Sequence, residues 1–505
     1  MAFNLKRFVN FFKLLLRSKK GFAGLAIIVI FITISAAAPL VTQYDPVNDL
    51  YISGDFSAPI WLKNILGAGG LCESITLAKN PSLMMLGPPE GWNYTHGKYI
   101  DISRNQTFGS QAGGKPCAQI TFKRKTGEAY IGTSEAHLTM TLSYPYTGAP
   151  KLFEGNFSLF VKGIESISSM QLIFSVQSQN SSVPLPPIFT QKISSSSSSW
   201  MVYTEISSYS REMKDRFAAW MGWGRGNVTV DPAKIVFKNP GEYTVDLDII
   251  FEDNPEMSGK AVEATVYIDD LNFRTLGTAH GLLGTDQWGR DLFSQIVYGA
   301  RISLAVGLLS AVLGVVIGLF AGLIAGYLGR FVDEFLMRFT DALLVLPTLP
   351  LLLVLIAVLG PSVWNLILLI GILGWMGFAR MVRAQVLSLK ERPFIEAAHA
   401  VGAGNFYIIL RHVLPNVMSL AYVSLALSVP NAIISEAALS WLGLFDPTVM
   451  SWGRMLHDAE AVEGGIDKWW WWAPPGLCIA LISVSFILIG YALDDILNPR
   501  LRQRR

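Results

Sequence analysis

The chain is poor in charge. Only 15% of its 505 residues are Asp, Glu, Lys or Arg, against 51% hydrophobic, which is not the balance of an ordinary water-soluble domain. Cysteine is scarce as well, with three in all, which excludes a disulfide-stapled scaffold. Cys478 falls in an apolar run, whereas Cys72 and Cys117 fall in a polar region and are read either as a disulfide or as two free thiols. A phosphate-binding G-x-x-x-x-G-K-[ST] loop is missing: Gly97-Lys98, Gly114-Lys115 and Gly259-Lys260 are each followed by the wrong residue. No His-Glu-x-x-His zinc motif occurs. The chain is therefore read as a non-enzyme, with no catalytic residues, no metal site and no cofactor of its own.

What it does have is long apolar runs. Gly21–Val41, Ile302–Tyr327, Asp341–Gly360, Val363–Arg383, Val417–Leu439 and Ala473–Asp494 are each about the 20 residues needed to cross a bilayer. Six transmembrane helices are expected, the first covering 21–43 and the third kinked at Pro347 and Pro350. Gly314, Gly318, Gly322 and Gly326 recur every four residues, so one helix face is bare enough to receive another backbone. Basic residues cluster beside the spans. Lys6, Arg7, Lys13, Arg17, Lys19 and Lys20 precede the first, in an amphipathic segment over 1–20. Arg330 and Arg338 lie in a short inner loop, Arg380, Arg383, Lys390, Arg392 and Arg411 around another, and Arg500, Arg502, Arg504 and Arg505 at the end, including a basic tail over 501–505. With six spans these clusters share one side. The positive-inside rule makes that side cytoplasmic, both termini included, in a multi-pass protein of the cell membrane. Charges that flank spans do not form a nucleic-acid face. A cleaved signal peptide is the competing reading of the first run, with Ser35-Ala36-Ala37-Ala38 near a cleavage site.

Residues 44–280 are different material. Leu138, Met140, Leu142; Leu172, Phe174, Val176; Tyr243, Val245, Leu247, Ile249, Phe251; and Val262, Ala264, Val266, Ile268 alternate with period two, as half-buried strands do. Turn signals such as Asn239-Pro240-Gly241 lie between them, so an inserted extracellular β-sandwich is expected. Ser194–Ser199 reads as a mobile loop and Arg211–Trp220 as a short helix. Glycosylation sequons occur at Asn93, Asn105, Asn156, Asn180 and Asn227. The closing stretch Ala264–Phe273, ATVYIDDLNF, is similar to the last strand of jelly-roll carbohydrate-binding modules. Asp269 and Asp270 are then either calcium or sugar ligands or a turn at a strand end. Trp200, Trp220 and Trp223 either stack on sugars or fill the core.

The most informative stretch is Pro393–Asn416, PFIEAAHAVGAGNFYIILRHVLPN. Phe394–Val401 and Asn405–His412 read as two short helices, Gly402 and Gly404 supply the corner, and Pro415 closes the unit before the next span. The order Glu396-Ala397-Ala398, Gly402, Leu414-Pro415 resembles the EAA loop of ABC-importer permeases. Upstream, Leu283-Gly284-Thr285-Asp286, Gly289-Arg290-Asp291 and Tyr298-Gly299-Ala300-Arg301 resemble the signature of the dipeptide/oligopeptide class, C-type subunit. Thr285 or Asp286 is expected to cap a helix to about Tyr298, a strap framing the outer gate. Glu436–Gly443, Ser451-Trp452-Gly453 and Asp494–Arg500 resemble the same class.

The resemblance implies a type I importer permease core over 281–500, with 393–416 docking into a cytoplasmic ATPase. It implies a homologous second permease subunit, two ATP-binding subunits that hold the ATP and Mg²⁺, an extracellular substrate-binding protein and the lipid bilayer as partners. The implied cargo is di- or oligopeptide, with oligosaccharide as an alternative. Asn431 and Ser435, deep in a span, are expected to line the passage; Glu436 either joins them or pairs with Arg301 or Arg454. The rival from another class is a membrane-anchored glycan-binding or adhesion protein whose spans are mere anchorage.

Overall fold

The computed structural model describes residues 13–65, 70–79, 92–110, 116–181, 183–223, 230–465 and 467–497. It separates into two compact units, Met1–Leu50 with Asp291–Arg505, and Tyr51–Arg290. The divide therefore comes later than the boundary expected after residue 280. The reason is local: the stretch 284–290 hydrogen-bonds to 51–57, Tyr51 N–H to the Trp288 carbonyl at 2.9 Å and Thr285 N–H to the Ser57 carbonyl at 3.0 Å.

The β unit consists of two antiparallel sheets. Its strands are β1 (Ile75–Lys79), β2 (Asn93–His96), β3 (Ile100–Asn105), β4 (Cys117–Arg124), β5 (Thr133–Tyr144), β6 (Leu152–Lys162), β7 (Ser169–Ser178), β8 (Phe189–Ile193), β9 (Met201–Ser207), β10 (Gly241–Glu252) and β11 (Val262–Leu276). One sheet runs β3-β4-β11-β6-β9, with β1 also paired to β11; the other runs β2-β5-β10-β7-β8. The alternation read on β10 is the alternation of burial: Tyr243, Val245, Leu247, Ile249 and Phe251 are all buried. Side chains of both sheets share one core, where Phe122 stacks on Phe251 at 5.8 Å and Phe174 meets Phe273 edge-on at 5.5 Å. Arg211–Trp220 is helical, capped by the Ser210 side chain, as its composition suggested. Trp220 and Trp223 are exposed rather than core. The serine run is strapped down: Ser197 N–H donates to the Val161 carbonyl at 2.8 Å and the Ser196 hydroxyl to Glu165 at 2.7 Å.

The helical unit contains α1 (Lys19–Ala36), α2 (Leu292–Leu328), α3 (Arg330–Val345), α4 (Thr348–Leu359), α5 (Val363–Leu373), α6 (Met376–Lys390), α7 (Pro393–Ala400), α8 (Asn405–Ile408), α9 (Leu414–Trp441), α10 (Trp452–Glu460) and α11 (Trp469–Leu497). Among the described residues, five helical stretches are long and apolar enough to cross a membrane, or six if the pair α3–α4, bent by 88°, is one span. That pair corrects two expectations. Residues 330–340 are helical instead of a loop, and the third span, expected to run from Asp341, shares that helix to Val345 and breaks at Leu346-Pro347 instead of merely kinking. The strap and the second span are also one object, because α2 runs unbroken for 37 residues from Leu292.

The glycines of α2 do receive another backbone. A Cβ on Gly318 would stand 2.7 Å from the Trp375 carbonyl oxygen, and one on Gly322 2.6 Å from that of Ala379. Any side chain there would push α6 off α2. Val382 and Val386 of α6 fill the space between, fully buried.

Candidate functional site

The stretch 393–416 forms a corner with a locked base and an open face. Helix α7 starts at Pro393, where a missing N–H costs nothing, and stops at Gly402, whose φ of +86° turns the chain. Three apolar side chains, Ile395, Ile408 and Val413, are fully buried in one cluster with Tyr327, Val382 and Val386. The outward face is different: Glu396 and Ala397 are exposed, Val401 is 90% exposed, Phe406 76% and Tyr407 56%. A run of exposed apolar side chains around a charged one is what a docking surface needs and what an isolated loop avoids.

The expected close of the unit at Pro415 is not what forms. Chain 405–441 is continuous helix, with a wide π-turn over Ile409–Val413 and Leu414-Pro415 as its last step into α9. Pro415 has no N–H to give the Arg411 carbonyl, and the widened turn accommodates that missing bond. The corner is thus rigidly joined to the α9 span.

Residues that no motif singled out hold the base. The Tyr327 hydroxyl, at the end of α2, lies 3.0 Å from His399 Nε2 and donates to Asn405 Oδ1 at 3.4 Å. Lys390 donates to the Tyr327 carbonyl at 3.0 Å. Tyr327 so ties α2, α6, α7 and α8 together. Two arginines of the basic cluster are paired within the unit: Arg383 forks onto Asp333, its Nη2 reaching Oδ2 at 2.7 Å, and Arg380 pairs with Asp341. Both acids lie on α3, Asp333 in the part read as a loop and Asp341 at the expected start of the third span.

A cavity of about 220 Å³ lies among α2, α4, α5 and α9. Asn431, Ser435 and Ser428 line it together with Ser310 and Thr348. Its polar groups are all uncharged. Glu436 is not part of it. That carboxyl is buried and held by hydroxyls, Ser440 at 2.8 Å, Ser303 at 3.4 Å and also Ser451. The expected pairing of Glu436 with Arg301 or Arg454 is replaced by other bonds. Arg301 donates to the Ser35 carbonyl at 2.6 Å, and Arg454 to the carbonyls of Pro447 and Val449 at 2.9 and 2.7 Å.

In the β unit, the signature stretch folds as a tight loop. Asp286 accepts from the backbone N–H of Trp288 and Arg290, at 2.8 and 3.0 Å, and from Arg290 Nε at 2.6 Å; both side chains are buried. Thr285 donates to the Gly54 carbonyl at 2.6 Å and accepts from Ser57 N–H at 2.9 Å. Gly289 takes φ +68°, and a Cβ there would stand 2.3 Å from the Ser53 carbonyl oxygen. Neither Thr285 nor Asp286 caps a helix. In the helical unit the cap is Asp291, whose carboxylate accepts from Ser294 N–H at 2.7 Å.

Cys72 and Cys117 are free and buried. Burial, with the neighbouring Asp269, pushes the Cys117 thiol up to about 12, so it stays protonated and inert. Of the sequons, Asn93 and Asn180 are exposed, Asn105 already donates to Gln119 at 2.9 Å, Asn156 sits mid-strand on β6, and Asn227 lies outside the described residues.

The family model of the binding-protein-dependent transport system inner membrane component matches residues 314–503. The chain is 39% identical over 222 residues to the dipeptide transport system permease protein DppC of Bacillus subtilis (strain 168), covering 44% of this chain and 69% of that protein. It is 39% identical over 241 residues to the glutathione transport system permease protein GsiD of Shigella flexneri serotype 5b, covering 48% of this chain and 79% of that protein. Among solved structures, an inward-facing MetNI methionine ABC transporter is similar at 19% identity and a TM-score of 0.33, over 42% of this chain and 96% of that one.

Proposed function

The chain belongs to the family of binding-protein-dependent transport system inner membrane components, as a non-catalytic permease of the peptide ABC-importer type, and from that premise we propose how it works. It is one of two homologous permease subunits, served by two ATP-binding subunits and an external substrate-binding protein, and its cargo is di- or oligopeptide. ATP binding closes the partner ATPases. The corner at Glu396–Pro415 takes up that movement and passes it into α9 and α2, switching the passage between inward-open and outward-open states. Both termini face the cytoplasm, and the β unit, a sandwich of jelly-roll type, faces outside.

One observation carries the coupling role. The corner pairs a bare face, Glu396, Ala397, Val401 and Phe406, with a base fixed by Ile395, Ile408 and Tyr327. A surface that transmits force must not yield against its own support, and the continuous helix into α9 gives it a lever. The uncharged cavity beside Asn431 and Ser435 suits a cargo whose amides need donors and acceptors rather than countercharges.

The test is the double variant Glu396→Lys with Gly402→Asp in the assembled importer, which puts unlike charge on the bare face. Uptake of labelled tri-alanine and co-purification of the ATPase subunits are both expected to fall at least about tenfold at unchanged expression. Undiminished uptake with the ATPases still attached would overturn the reading.

A further inference from the structure

The end of the β unit at which the chain enters and leaves is unlike the other end. Strand β11 finishes there, Leu276 paired with Leu152 at the start of β6, and β9 finishes beside them, Ser207 paired with Glu154. Gly54 N–H donates to the Gly277 carbonyl at 3.1 Å, so the entering and the leaving segment share this end. The helix over Arg211–Trp220 lies across it. Ser208 N–H, just before the helix, donates to the Phe153 carbonyl at 3.0 Å, and Arg216 donates to the Pro187 carbonyl at 2.8 Å, shortly before β8 begins. Phe217 closes the core there, fully buried. The helix then stops in a fixed cap: Trp223 N–H bonds to the Ala218 carbonyl at 2.8 Å and Gly222 N–H to that of Ala219 at 3.0 Å, with Gly222 at φ +77°.

This end carries exposed aromatic side chains. In a cap of this kind the residue after the glycine commonly packs back on its helix, whereas Trp223 is 47% exposed, and Trp220 in the last turn is 41% exposed. Tyr51, Tyr209, Leu282 and Trp288 are exposed at the same end. Acids around them are met by bases: Asp55 by Lys151 at 3.6 Å, Glu212 by Arg216 at 2.8 Å and Asp231 by Lys234 at 3.2 Å. Lys214 lies over the Tyr209 ring at 5.1 Å. Burial, with Asp55 and Asp231 nearby, pushes the half-buried Tyr209 phenol up to about 12, so it stays neutral. The opposite end, where Val262 of β11 pairs with Arg124 and where the loop carrying Tyr130 turns, is a strand length away, about 45 Å at ~3.3 Å per residue.

We infer that this aromatic end is an anchor in the headgroup layer of the lipid bilayer. Indoles and phenols pair an apolar ring with a polar tip, which suits a layer that is part hydrocarbon and part water. Charges that are already paired are cheaper to bring there than lone ones. Tyr and Trp also mark protein–protein interfaces, so composition alone does not choose between a lipid and a protein. Position chooses. The chain leaves the β unit at Arg290 and α2 begins at Leu292. The 37 residues of α2 span about 55 Å at ~1.5 Å per residue, against about 40–45 Å for a bilayer with its headgroups. That excess, shared between two helix ends, puts Leu292 within about two turns of the headgroup layer. The aromatic end is therefore the one that the chain itself holds against the membrane, continuous with the lipid-facing surface of the spans. Two connecting segments leave a unit free to tilt. Rings sunk in the interface fix its attitude, whatever cargo the permease carries.

The experiment uses the full chain reconstituted in phosphatidylcholine vesicles. Cys478→Ser removes the thiol in the last span, and Cys72 and Cys117 are buried and stay unlabelled. A single NBD fluorophore is then attached through Ala219→Cys, at an exposed position between the buried Ala218 and Trp220, or through Tyr130→Cys at the opposite end. Lipid bearing a nitroxide near the head of its acyl chain quenches a fluorophore that lies in the interface. Quenching of the label at 219 is expected to exceed that at 130 at least about threefold. Trp220→Glu with Trp223→Glu, at exposed side chains, should bring it down to the level at 130, because carboxylates do not enter the layer. The thermal melt of each variant reports folding separately. Equal quenching at the two sites overturns the inference. So does undiminished quenching in the double glutamate variant, which would mean that the connections alone hold this end near the lipid. A label at 219 that is shielded from the nitroxide only when partner subunits are added assigns the aromatic end to a protein and overturns it as well.

Discussion

Two glycine corners, one in each unit, share a backbone geometry and differ in everything around it. Gly289 and Gly402 both have positive φ, +68° and +86°. At Gly289 a Cβ would meet the Ser53 carbonyl oxygen at 2.3 Å and the Tyr51 Cα at 3.1 Å; at Gly402 it would meet nothing within 4 Å. The first corner is packed shut around a buried Asp286–Arg290 pair, the second stands open beside an apolar face. A motif glycine is therefore two different demands. One is for space inside a finished structure, the other for a turn on a surface whose neighbour belongs to another chain.

The sharpest way to break that comparison is through the charge pair. Arg290→Leu takes away the guanidinium that faces the buried Asp286 carboxylate. Breaking a buried ion pair by removing one partner costs about 3–5 kcal/mol, here at the lower end because the N–H groups of Trp288 and residue 290 still donate to the carboxylate. The tryptophan-fluorescence melt of the purified chain should shift down accordingly. A loss within about 0.5 kcal/mol, the range of ordinary surface substitutions, would mean that the loop is solvated and the contrast with Gly402 is empty.

The glycines themselves come next. Gly289→Ala adds the cost of a left-handed residue, about 1–2 kcal/mol, to that of forcing apart two backbones, about 1–3 kcal/mol more. Gly402→Ala carries only the first. Melts of the two variants should thus differ by about 1–3 kcal/mol, with Gly289→Ala the worse. Equal losses would show that conformation alone, and not packing, sets both positions.

The same contrast explains what could be read from residues alone. Strands β5, β7, β10 and β11 were legible because half-burial writes a period of two into Leu138, Phe174, Val245 and Val266. The bulge at Asp269–Asn272 was not, because a phase change of one residue looks like a turn until the partner strand is known. In the helical unit the runs marked the spans, but a helix apolar on every side hides its own breaks. Nothing in Asp341–Gly360 distinguished a kink from the 88° bend at Pro347, and residues 330–340, with two arginines and two acids, were too charged to read as part of a span. Glu396, Gly402 and Pro415 were visible as a motif. Tyr327, which holds that motif in place, was one aromatic among many at the end of an apolar run; only its separation of 72 residues from His399 in sequence, closed in space, gives it meaning.

The smallest expected effect bears on that residue. Tyr327→Phe keeps the buried ring against Val382 and Val386 and removes only the hydroxyl that reaches His399 and Asn405. A hydrogen bond of this kind is worth about 0.5–1.5 kcal/mol, so the melt should barely move. The bond to the Tyr327 carbonyl from Lys390 survives, because it belongs to the backbone. Coupling should suffer more than stability, because α7 then turns against α2 without a fixed point. The measurable split is between uptake of labelled tri-alanine, expected to fall several-fold, and ATP hydrolysis by the assembled importer, expected to continue. Were both to fall together, the hydroxyl would serve docking of the partner and not transmission behind it. Were neither to change, the three apolar plugs Ile395, Ile408 and Val413 would suffice to hold the base, and the open corner would need no polar lock.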